Sequence, residues 1–95
     1  MQVRDIKIGK KVATGIEIPL PDSPLATATD KRGYLMCGLL DLSAAEEFEA
    51  ACAVVRGART ISELLEGEIW GASAKAQQLG IKAGMTGLQA LKKLL

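Results

Sequence analysis

One stretch constrains this chain more than any other: Gly33-Tyr34-Leu35-Met36-Cys37-Gly38-Leu39-Leu40-Asp41, its most apolar run. A strand with one face in water alternates apolar and polar residues. A run apolar at odd and even positions alike must be covered on both faces. It follows Asp30-Lys31-Arg32-Gly33, where Asp opens and Gly closes a short turn. That is the chain's clearest hairpin signal, and it fits a type I turn followed by a left-handed glycine. The spacing therefore predicts a central strand over Tyr34–Gly38, paired antiparallel with a strand over Leu25–Thr29.

The segments before it read as β structure. Residues 3–8 and 11–18 are β-branched and alternating, joined by Gly9-Lys10, which predicts a first hairpin. Within the second strand Val12, Thr14, Ile16 and Ile18 share one face, and Ala13, Gly15 and Glu17 the other. The second face is small and partly polar, so it is expected either to be solvated or to meet another subunit. Pro19, Pro21 and Pro24 supply no backbone N–H and mark a stiff connection.

Beyond Asp41 the period becomes helical. Ser43 with Glu46, Thr60 with Glu63 and Thr86 with Gln89 have the spacing of capping boxes. The first predicts a helix whose apolar face holds Ala44, Phe48, Ala51 and Cys52. Residues 53–55 either prolong it or form a short strand, and the strand is favoured because the next helix, Ile61–Glu66, starts so soon. Residues 68–72 are expected to be another short strand. Ser73 caps a helix over Ala74–Leu79, which Gly80 stops. In the last helix Leu88, Leu91 and Leu95 form an apolar stripe, and Lys92 and Lys93 suit the negative end of the helix dipole. The order, strands first and then helices mixed with strands, predicts an α+β fold: an N-terminal antiparallel sheet packed against short C-terminal helices. Residues 1–95 are expected to form a single domain, with 2–40 mostly β and oligomerising, and 43–95 mixed.

Composition narrows the chemistry. With 95 residues the core is small, and domains of this size often gain stability by association. The net charge of +1 comes without a basic run or an aromatic platform, so nucleic acid is not an expected partner. No apolar run reaches the ~20 residues of a membrane helix. No leader pattern is visible, and the two cysteines lack CxxC spacing, so a reducing cytoplasm is expected. Histidine is absent, which removes Ser-His and Cys-His chemistry within one chain.

Several stretches together resemble a known family: Gly15-Ile16-Glu17-Ile18-Pro19-Leu20-Pro21; Gly33 to Gly38 with Leu40-Asp41; Arg56-Gly57 with Thr60-Ile61 and Leu64-Leu65; and Leu79-Gly80-Ile81 with Gly84-Met85-Thr86-Gly87 and Ala90-Leu91. In this order, over nearly the whole chain, they are similar to the YunC-like family of small bacterial and archaeal proteins, domain of unknown function 1805. The resemblance implies no assigned activity. It implies a homo-oligomer, a tetramer, built through the N-terminal strands. The run Ala50-Ala51-Cys52-Ala53 is a local departure, unusually rich in small residues.

The candidate sites are weak ones. Cys37 and Asp41 are the only catalytic candidates: a thiol near a helix N-terminus is activated if the field lowers its pKa. A buried free cysteine, however, usually behaves as a small hydrophobe, and that reading is preferred for Cys37 and Cys52. Gly84, Thr86 and Gly87 before a helix are candidates for anion binding, but an ordinary turn and cap explains them as well. No metal site and no cofactor are expected. Glu17, Arg32 and Arg56 complete the polar candidates, Glu17 as one half of an intersubunit ion pair or as an exposed edge residue. Two functions compete: a non-catalytic, homo-oligomeric module that binds a ligand or partner, and a small enzyme or redox protein with its site around Cys37 and Asp41 near a subunit interface.

Overall fold

Six strands form one sheet in chain order: β1 (Gln2–Ile8), β2 (Lys11–Ile18), β3 (Leu25–Asp30), β4 (Gly33–Cys37), β5 (Cys52–Val55) and β6 (Ile69–Ala72). Four short helices accompany it: α1 (Leu42–Glu47), α2 (Ile61–Glu66), α3 (Ala74–Gln78) and α4 (Gly87–Leu94). The computed structural model describes residues 1–21, 24–38 and 42–95. The fold is α+β, as the sequence predicts, but the sheet does not stop at β4. Short connections make β1 to β4 an antiparallel meander, whereas β5 lies parallel to β4 and β6 antiparallel to β5. A parallel pair needs a crossover, and α1 lies on it.

The middle of the apolar run, Leu35–Cys37, is covered on both faces. Leu35 and Cys37 face one side with Ala53 and Val55 of β5, and pack against Ile61, Leu64, Leu91 and Leu94 of α2 and α4. Met36 faces the other side with Cys52 and Val54, under Ala45 of α1. Leu35, Met36 and Cys37 are each at most 1% exposed.

Five local expectations are corrected. The helix over Ala44, Phe48, Ala51 and Cys52 ends at Glu47. Glu49 takes a left-handed φ of 55°, Phe48 is 83% exposed, and Cys52 belongs to β5. The sheet competes for these backbone groups and wins: Tyr34 N–H donates to Ala51 O at 3.0 Å, and Ser73 N–H to Cys52 O at 2.9 Å. Ser43 is not the cap of α1 but lies inside it, and Glu46 accepts instead from the Ala74 N–H, at 2.8 Å.

Gly33 is not left-handed either. It pairs directly with Asp30, leaving Lys31-Arg32 as a two-residue turn. Its need for glycine is steric, since a Cβ there would collide with the Ala51 carbonyl oxygen. Finally, the small face of β2 is neither solvated nor free for a subunit. Ala13 and Gly15 are buried beneath α2, and a Cβ on Gly15 would come within 2.9 Å of Ile61 Cδ1. Among the described residues, no helix covers the opposite face of β1–β3, which carries Val12 and Ile16. In α4 the buried stripe is Gly87, Ala90, Leu91 and Leu94, with Leu95 also buried; Leu88 lies at the exposed margin.

The close packing of α2 on α4 yields a test. A Cβ on Gly87 would collide with the Leu64 carbonyl oxygen, and backbone has little room to give. Gly87→Ala is expected to cost about 3 kcal/mol, the upper range for overpacking. Gly57→Ala, with open space around it but a φ of 81°, is expected to cost about 1 kcal/mol. Urea midpoints of the two variants measure the difference.

Candidate functional site

Cys37 ends β4 with its side chain in the helix-packed core, so it is placed as a packing residue. Asp41, its proposed companion, lies outside the described residues. Cys52 is fully buried on the opposite face of the sheet and shares no cluster with Cys37. Both thiols are free.

Cys52 sits in a small polar knot. Tyr34 is its strand partner across the β4–β5 pair. Ser73, also fully buried, accepts from the Cys52 N–H at 3.0 Å and from the Ala76 N–H at 3.3 Å, and donates to the Ala50 carbonyl at 2.7 Å. One hydroxyl thus ties the entry to β5 to the start of α3. Burial pushes the Cys52 thiol above the usual thiol range; the Ser73 and Tyr34 hydroxyls oppose the shift, and the Glu46 carboxylate adds to it. Burial likewise raises the Tyr34 phenol, with Cys52 contributing. A thiol held neutral in this way is a poor nucleophile.

The Gly84-to-Gly87 segment spends its donors internally. Gly84 N–H bonds to Ile69 O at 3.0 Å, Gly87 N–H to Gly67 O at 2.8 Å, and Thr86 N–H to Gln89 Oε1 at 2.9 Å. Thr86 and Gln89 form the full capping box. These N–H groups are not available to an anion, and Gly84 serves a turn at a φ of 97°.

Glu17 also finds an internal role. Its Oε1 accepts from the Ile61 N–H at 2.6 Å, so β2 caps α2 from across the core. Neither the intersubunit pair nor the exposed edge expected of Glu17 fits this position. Arg32 is exposed in the β3–β4 turn. Arg56 follows β5 directly, and its guanidinium carbon lies 4.8 Å from the centre of the Trp70 ring on β6. Both line a cleft of about 430 Å³ with Leu42, Glu46 and Val54. Among the described residues no three potential metal ligands gather, and no helix is long and apolar enough to cross a membrane.

Arg56 is a candidate from the sequence, whereas Trp70 and Glu46 are not singled out there as its neighbours. For Trp70 the signal was available: in a short strand with Ile69 inward, the next residue points outward. The Glu46 position follows from a crossover that no local pattern announces.

The fold and these residues define a small α+β protein with a mixed sheet, buried thiols and one arginine–tryptophan cleft. The chain belongs to the family described as domain of unknown function 1805, whose model matches residues 36–94. It is 34% identical over 86 residues to the uncharacterised protein YunC of Bacillus subtilis strain 168, covering 86% of this chain and 85% of that one. Its fold matches the crystal structure of TA1206, a protein of unknown function from Thermoplasma acidophilum, with a TM-score of 0.94 at 30% identity, over 99% of this chain and 92% of that one.

The polar knot predicts an alkaline instability. Cys52 and Tyr34 have pKa values raised by folding, so their stabilising contribution is complete below the unfolded pKa and is lost as pH rises through the folded one. The thiol part of the loss is expected to begin above about pH 8.5. Urea midpoints at neutral pH and at about pH 9.5 should fall more for the wild type than for Cys52→Ala.

Proposed function

We propose that this protein is a non-catalytic module that assembles with copies of itself through the uncovered face of β1–β3 and binds a small ligand or a partner. The observation that carries the proposal is the character of that face. Val3 and Val12 are 55% and 47% exposed, and Ile16 and Ile18 are only partly covered. The register places Val3 beside Ile16, with Ile18 next on the same face of β2, as one apolar group, and sets Val12 beyond the polar pair Asp5–Thr14, beside Lys7. Contiguous apolar surface like the group of Val3, Ile16 and Ile18 marks interaction sites. Asp5 and Lys7 lie on the same face, and a two-fold arrangement brings opposite charges on one strand against their counterparts. The tetramer implied by the family resemblance would use this surface.

Two free, buried thiols agree with a reducing cytoplasm. The competing enzyme reading would require Cys37 to leave the core, and no described geometry favours it.

Static light scattering at micromolar concentration tests the assembly. The wild type is expected as an oligomer, and the pair Val12→Glu, Ile16→Lys as a monomer with an unchanged circular-dichroism spectrum. A monomeric wild type, or a folded double variant of undiminished mass, overturns the proposal.

A further inference from the structure

The cleft beside Trp70 has the features of a built ligand site. It lies just beyond the carboxyl ends of the two parallel strands: Gly38 follows β4, Arg56 follows β5, and both line it. Sheets with parallel strands offer their ligand crevices at such ends. Its volume of about 430 Å³ suits a small molecule. Leu42 and Val54 supply apolar walls, and Leu42 Cδ2 comes close enough to β6 that a Cβ on Gly71 would meet it at 3.5 Å.

The charges in the cleft are unequally engaged. Glu46 already accepts the Ala74 N–H. The Arg56 guanidinium lies over the indole ring and, among the described residues, has neither a carboxylate partner nor a hydrogen bond. Cation–π attraction holds a guanidinium over an aromatic face without using its N–H donors, and that free fork is the group that receives a carboxylate through two hydrogen bonds. Glu46 in the same cleft disfavours a second negative charge on the ligand.

We propose that this cleft binds a small monocarboxylate with a flat apolar body, its carboxylate held by Arg56 and its body between Trp70, Leu42 and Val54. The proposal gives the binding part of the preceding reading a ligand class and does not depend on self-association. The residues of the cleft lie at the ends of β4 and β5 and on β5, β6 and α1, not on β1–β3.

Trp70 is the only tryptophan, so its indole N–H gives one assignable nuclear magnetic resonance signal. Benzoate is expected to shift that signal saturably, with an affinity of about millimolar for so small a probe. Benzamide, its neutral isostere, is expected to bind at least about ten-fold more weakly, since the charge-assisted bonds are lost. Arg56→Gln should abolish the benzoate response and leave the rest of the spectrum in place, while Lys82→Gln, in another surface hollow, should leave the response unchanged. No saturable shift with benzoate, equal binding of benzamide, or an undiminished response in folded Arg56→Gln would each overturn the proposal. Light scattering on the same samples reports assembly separately, so failure of one reading is not mistaken for failure of the other.

Discussion

The parallel pairing of β4 with β5 is the contact on which the rest of the structure depends. It joins the N-terminal meander to the helical half and gives the apolar run of β4 partners on both faces. Its entry is tight. Tyr34 N–H reaches Ala51 O at 3.0 Å, and only a glycine at position 33 lets the two backbones approach. The small residues Ala50 to Ala53 belong to the same fit, since β5 runs deep between two layers where larger side chains would push the sheet apart. Leu35 beside Ala53 and Met36 beside Val54 then divide the interior into its two clusters.

Once that pair is set, the short helices are tied to it by polar contacts from outside themselves. Helices of five and six residues are far below the length that is stable alone in water. α2 starts with Thr60 as its cap and receives Glu17 from β2 at the Ile61 N–H. α3 starts with Ser73 as its cap and receives Glu46 from α1 at the Ala74 N–H. Each carboxylate closes a helix end that would otherwise carry an unpaired donor, and each fixes the angle between two elements distant in sequence. The same economy explains the exposed face of β1–β3: every helix with a strong apolar side is already committed to the other face or to the β4–β5 end.

Much of this was legible in the sequence because local signals agreed. Alternation placed β1 and β2, the Asp30–Gly33 turn placed the β3–β4 hairpin, and three caps placed Thr60, Ser73 and Thr86 where the structure has them. What escaped was decided by contacts between remote segments. The residues Ala51 and Cys52 have helical spacing from Ala44, yet the pairing of β5 with β4 and β6 claims their backbone. β2 is apolar on one face and small on the other, and size, not hydropathy, decides which packs: Ala13 and Gly15 admit α2 closely, whereas Val12 and Ile16 would hold it away. Gly33 reads as a turn glycine because turns are glycine's commonest use, although here it serves a close approach. Of the site residues, Arg56 stands out in the sequence as a lone charge after an apolar strand, but its place over Trp70 comes from the register of β5 and β6.

Hydrogen exchange, followed amide by amide under native conditions, tests the central role of the β4–β5 pair most directly. If that pair is the last to open, the amides of Leu35, Met36 and Val54 exchange only through global unfolding, with a free energy equal to that from urea denaturation, while amides of the edge strand β1 exchange through smaller openings. Exchange of the β4 and β5 amides at the rate of β1, well below the global free energy, would contradict the account.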